Sequence, residues 1–180
     1  SMFLLNEAVD LLRQGYSVLY IDSELTTRMF TARLIAHLTK IEFSRIRSGK
    51  YTDEEAERIK AALKWIKEQK FTHKYMPIFD PNGVYSVVKK SMHAQDTQVL
   101  IVDYFKASDS GSGDGAAYEV YSNLGKFVDM VKNVLCGDLG LIGLGAAQTT
   151  ATGKLADSAK IARNASTIMI IDNKTPEEIQ

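Results

Sequence analysis

The sequence holds a single cysteine, Cys136, so no disulfide can form within the chain. That scarcity fits a reducing, intracellular setting. No apolar run approaches the roughly 18 residues of a membrane span. There is no basic start, apolar centre and small-residue cleavage site of the kind that marks a secretory signal, and no membrane association is expected. Neither charge is in excess, since 22 Lys and Arg balance 22 Asp and Glu. Whole-chain electrostatics therefore exert no pull toward nucleic acid, and any such contact has to come from a local patch. Metal-ligand spacing is lacking too: His37, His73 and His93 are scattered and read as surface or satisfied core residues. Cys136 has no histidine in a nucleophilic arrangement and reads as a small buried hydrophobe. Trp65 sits at core spacing on a helix, which points to packing.

What is present is the balance of a globular chain: 180 residues, 45% hydrophobic and 24% charged, enough for one domain. "MFLLNEAVDLLRQ" (2–14) places Leu4, Leu5, Ala8, Val9, Leu11 and Leu12 on one helical face, with Gly15 as the stop. "YSVLYID" (16–22) is continuously apolar and predicts a buried strand. "TTRMFTARLIAHLT" returns to the helical period. The next helix, "YTDEEAERIKAALKWIKEQK", opens with a capping box, Thr52 with Glu55 three residues on. "KYMPIF" (74–79) predicts a short strand, with Pro77 arguing for an edge position or an early end. "DPNG" reads as a turn, "VYSVVKKSMHA" as an amphipathic helix and "QVLIVDYFK" (98–106) as a strand. After the low-complexity loop "KASDSGSGDGAA" come a helix (118–135), the strand "LGLIGLGAA", the polar loop "QTTATGKLAD", a short helix and a last strand, "STIMIID". No internal repeat is visible.

Apolar strands alternating with helices imply an α/β fold, a mostly parallel sheet with helices on both faces. Ligands gather at the carboxyl ends of such strands. Three polar side chains stand there: Glu24, Asp103 and Gln148. Each has a plainer reading. Glu24 could serve the N-terminus of the next helix, Asp103 could be a turn acid, and Gln148 could be a solvated loop residue. Three at successive strand ends are harder to dismiss.

With these segments in order, the sequence resembles the C-terminal motor domain of the DnaB-type replicative DNA helicases, within the RecA-like ATPases. "VLYIDSEL" resembles that family's strand ending in a Ser-x-Glu or Leu-Glu element. "RIRSGKYTDEEAERI" resembles its Ile-Arg-Thr/Ser-Gly turn followed by an acidic helix start. "LIVDYFK" is similar to its Walker B strand, "GLGAAQ" to the strand ending in its phosphate-sensing Gln, and "AKIARNASTIMII" to its closing helix and strand. The resemblance implies a RecA-like P-loop NTPase fold acting on ATP with Mg²⁺. Glu24 would be the water-orienting general base. Asp103 would hold Mg²⁺, through water, on the nucleotide side, and Gln148 would bond the γ-phosphate. It further implies single-stranded DNA as partner, contacted by the loops 106–117 and 149–158, with Lys106 and Lys154 as the candidate DNA-binding residues. The same loops could be merely solvated, because they carry few basic groups and Asp109 and Asp114 besides. A hexameric ring, a primase or helicase-loader partner and a cytoplasmic location in a bacterial or phage-infected cell complete the expectation.

The chain also departs from that family. No G-x-x-x-x-G-K-[ST] occurs: the Gly-Lys pairs Gly49-Lys50, Gly125-Lys126 and Gly153-Lys154 all lack the required earlier glycine. "SMFLLNEAV" resembles the helix that continues from a phosphate loop, so Ser1 is either the motif's hydroxyl residue, on the Mg²⁺ side, or a cloning remnant. The acidic pattern usual before the last strand is replaced by Arg163, Asn164 and Ser166. Residues 1–180 are thus expected to form a partial motor domain, incomplete in its sheet, without the Walker A segment and the C-terminal arginine-finger region. A RecA- or RadA-like recombinase ATPase and a non-catalytic interaction module of the same fold remain alternatives.

Overall fold

The computed structural model describes residues 2–105, 124–148 and 159–171. Helix α1 (Met2–Arg13) leads into β1 (Val18–Asp22), and α2 (Thr27–Thr39), α3 (Phe43–Ser48) and α4 (Asp53–Glu68) follow before β2 (Phe71–Tyr75). Next come α5 (Pro81–Gln95) and β3 (Val99–Phe105). Helix α6 is α-helical over 124–129 and continues as a π-helix, Met130–Asp138. Strand β4 (Ile142–Ala147) and α7 (Ala159–Asn164) complete the described chain. The strands form one parallel sheet in the order β2-β1-β3-β4. Among the described residues no helix is long and apolar enough to cross a membrane.

The two central strands explain why their sequences are continuously apolar. Successive side chains point to opposite faces of a strand, and here both faces are covered. Val18, Tyr20, Val99 and Ile101 pack with Leu4, Leu5, Val9, Phe30 and Leu34 of α1 and α2. Leu19, Ile21, Leu100 and Val102 pack on the other side with Val84, Val88, Phe127 and Leu135 of α5 and α6. Trp65 is half-buried against the first of these clusters and Cys136 against the second.

Local signals explain several boundaries. The capping box of α4 is formed: the Thr52 hydroxyl accepts from the Glu55 amide at 3.3 Å, and the Glu55 carboxylate accepts from the Thr52 amide at 2.8 Å. Arg45 closes on the same carboxylate at 2.7 Å. "RIRSG" belongs to a short helix rather than a bare turn, and Gly49 ends it at φ 71°, where glycine has no Cβ to clash.

Elsewhere the structure corrects the expectations. "DPNG" is the start of α5: Asp80 is the N-cap, accepting from the Gly83 amide at 2.7 Å, and Pro81 opens the helix. The second strand is Phe71–Tyr75, not 74–79. Its ladder ends where the Met76 amide bonds the Asp22 carbonyl, because Pro77 has no N–H to continue it. Thr72, His73 and Lys74 disguised this strand, and it can carry them because it lies at the sheet edge.

The expected last strand is not formed within 166–171. Ile168, Met169, Ile170 and Ile171 are 50 to 72% exposed. A β-branched run becomes a strand only against a partner's backbone, and β4 pairs with β3 alone among the described residues. The segment is instead fastened to α6: Asn164 donates to Asp129 at 3.1 Å, and Lys132 to Ser166 at 2.9 Å. Asn164 and Ser166, two of the residues that replace the family's acidic pattern, therefore have a structural use here.

Candidate active site

Parallel pairing brings the carboxyl ends of β1, β3 and β4 side by side. Asp22 is the register partner of Asp103, and Phe105 that of Ala147 after an irregularity in the β3–β4 ladder. An open cleft of about 290 Å³ lies beyond these ends, lined by Asp22, Glu24, Arg33, Asp103, Tyr104 and Gln148 among others. Glu24 reaches it from the loop after β1, Asp103 from β3, Gln148 from the residue after β4, and Arg33 from α2. Glu24 and Gln148 are exposed, whereas Asp103 is buried.

Buried polar groups beneath the cleft set its geometry. The Tyr20 hydroxyl donates to Asp103 Oδ2 at 2.6 Å. Burial, and after it the neighbouring Asp22 carboxylate, push the Tyr20 phenol well above its ordinary pKa, so it stays a donor. Asp22 Oδ1 accepts from the Glu24 and Leu25 amides, both at 2.7 Å. Its Oδ2 faces His73 Nε2 at 3.7 Å, an ion-pair distance beyond hydrogen-bond range. Burial pushes the Asp22 carboxyl up, but His73 and the two amides outweigh it and hold the pKa below the usual carboxylate value.

The structure brings Glu24, Asp103 and Gln148 together on this one cleft. Ser1, Lys106 and Lys154 lie outside the described residues. Sequence reasoning missed Arg33, Asp22 and His73. Arg33 lies on a helix read only for its apolar period, and Asp22 looked like the end of a strand. His73, read as a surface or satisfied core residue, has a side chain 4% exposed, and its Nε2 has no hydrogen-bond partner. The one available signal was the pair of acids in "IDSEL", two residues apart at a strand end.

Among the described residues no group of three or more His, Cys, Asp or Glu side chains could enclose a metal ion. The donor set suits Mg²⁺ shared with a phosphate, since that ion keeps most of its waters and takes only one or two carboxylates. Tyr20→Phe removes the donor to a buried carboxylate and is expected to cost about 1–3 kcal/mol. Urea unfolding of the variant checks this. A midpoint equal to wild type would show that the phenol contributes nothing.

Comparison with known proteins points in the same direction. The sequence matches a family model described as the DnaB-like helicase C terminal domain over residues 1–178. A search of curated proteins returned no match. Among solved structures, one described as an ATPase domain superposes with a TM-score of 0.75 at 13% identity, covering 91% of this chain and 61% of that one. A DnaB-like replicative helicase, described with its interactions with primase, superposes at 0.73 and 13% identity, covering 91% of this chain and 42% of that one. The chain thus spans less than two thirds of either neighbour, and the likeness gives it a RecA-like α/β fold. By its sequence match over nearly its whole length, this chain belongs to the family of DnaB-like helicase C-terminal domains.

Proposed function

We propose that the protein containing this chain is an ATP-driven DNA helicase whose motor couples hydrolysis to translocation on single-stranded DNA during replication. The observation that carries the reading is the convergence of Glu24, Asp103 and Gln148 on one cleft at the ends of adjacent parallel strands. Family membership favours the helicase over the filament-forming recombinase.

In this reading the Glu24 carboxylate orients the attacking water and takes up its proton. Asp103, held by Tyr20, stands on the Mg²⁺ side, and Gln148 donates its side-chain amide to a γ-phosphate oxygen. Arg33 adds positive charge to the same cleft. Mg²⁺, when bound with ATP, neutralises the charge on the phosphates.

The phosphate loop itself belongs to a part of the protein outside these 180 residues, and its strand fits beside β4. That edge has a partner on one side only, and the exposed apolar stretch 168–171 offers a second partner for an inserted strand. Assembly into a hexameric ring, DNA contacts from Lys106 and Lys154, a primase or loader partner and a cytoplasmic location belong to the same proposal. In the full-length protein, ATP hydrolysis is expected to rise on adding single-stranded DNA, while residues 1–180 alone hydrolyse negligible ATP. DNA-stimulated turnover by the 180-residue chain alone would refute the account of the outside phosphate loop. A full-length protein without ATP hydrolysis would refute the motor.

A further inference from the structure

We propose that Asp22 and His73 are positioning residues for Glu24, holding the loop between β1 and α2 so that its carboxylate stands in the cleft. The inference rests on the reading of Glu24 as the water-orienting base.

The Glu24 side chain makes no hydrogen bond or ion pair among the described residues, so its backbone must place it. That backbone is held at one atom. Asp22 Oδ1 accepts from both the Glu24 and the Leu25 amides, at 2.7 Å each. Such a turn at a strand end needs only an exposed aspartate. Here the Asp22 side chain is 2% exposed, and the histidine facing it is 4% exposed. Burying a carboxylate is costly unless it is paired and hydrogen-bonded; the buried group facing Oδ2 is His73, whose Nε2 stands 3.7 Å away with neither atom hydrogen-bonded.

His73 also fastens the far end of the loop. Its Nδ1 lies 3.1 Å from the Thr27 hydroxyl, on the first residue of α2. Its ring stacks on Phe30, one turn further along, at 4.1 Å and 19°. A self-consistent assignment puts the proton on Nε2, toward Asp22, with the Thr27 hydroxyl donating to Nδ1. One buried pair, anchored in β1 and the edge strand β2, thus grips the loop at its start and the helix at its finish. Glu24 is one of the four residues, 23–26, between them.

Displacing a reacting group by about 1 Å can cost a factor of about 100 in rate. In the full-length protein, Asp22→Ala is expected to lower the kcat of ATP hydrolysis by about that factor. Nucleotide affinity should stay near wild type. The Glu24 and Leu25 amides should exchange their hydrogens faster, a reading independent of turnover. Asp22→Asn keeps an acceptor at the Oδ1 position and should preserve the slow exchange and most of kcat. His73→Phe keeps a ring against Phe30 but removes both nitrogens. It should lower kcat in the same sense, and it carries the test should the alanine variant fail to fold. In a Glu24→Gln background, Asp22→Ala should have no further effect on residual turnover, because the group it positions is already lost. An unchanged kcat in both Asp22→Ala and His73→Phe, an asparagine variant no better than alanine, or a full additional loss on top of Glu24→Gln would overturn the proposal. Undiminished hydrolysis by Glu24→Gln itself would instead overturn the base assignment beneath it.

Discussion

Glu24→Gln in the full-length protein is expected to reduce ATP hydrolysis by a factor of about 100 to 10,000, the usual contribution of a positioned base, while ATP still binds. The substitution is nearly isosteric, so it leaves the cleft its shape and removes only the negative charge and the ability to take up a proton. The position also isolates the chemistry from the fold. Glu24 is exposed and its side chain has no partner among the described residues, so its replacement removes no packing or hydrogen bond. Its backbone amide, which Asp22 holds, is the same in the variant. Steady-state hydrolysis, equilibrium binding of a fluorescent ATP analogue and thermal unfolding together separate the possibilities. Lost turnover with retained binding and an unchanged melting temperature is the expected pattern. If turnover survives, Glu24 is not the base, and another group lining the cleft must orient the water.

The second large effect concerns stability. Ile101→Ala is expected to cost about 2–5 kcal/mol, the range for truncating a buried aliphatic side chain. Ile101 lies in the middle of β3, between β1 and β4, and is 0% exposed. It shares its cluster with α1 and α2 residues such as Leu5, Val9 and Phe30, with Val18 and Tyr20 on the neighbouring strand. Flanked by paired strands and covered by helices, the site has little freedom to collapse around the missing atoms. A typical domain is stable by only about 5–15 kcal/mol, so the loss is a large share of the total. The check is a urea titration, in which the midpoint falls while the slope is unchanged. A cost below about 1 kcal/mol would contradict the tight packing described for this layer.

The same residue shows why much of the fold was legible beforehand. "VLYID" and "VLIVD" are apolar at every position before their acids because both strands are covered on two faces. A parallel sheet between helix layers asks for that pattern. Thr52 and Glu55 announced the start of α4 because a capping box is completed within four residues of chain. Glu24, Asp103 and Gln148 could be picked out because each stands just past an apolar run.

Other features were hidden because their cause lies far along the chain. His73 looks like a scattered polar residue in "FTHKY" until β2 pairs with β1 and sets it beside Asp22 and Phe30. Arg33 looks like a solvated helix residue until α2 folds over the strand ends. "STIMII" has every mark of a strand and is not one, since strand character needs a neighbour that local sequence cannot supply.

By itself, then, the sequence determined the alternation of elements, the burial of β1 and β3 and the acids at their tips. These come from hydrophobic period and capping, which act over a few residues. Tertiary structure alone decided that β2 runs over Phe71–Tyr75 through polar residues, that Tyr20 holds Asp103 and that His73 faces Asp22. Those contacts join residues 51 to 83 positions apart, and only sheet register, a property of two strands together, brings them within reach.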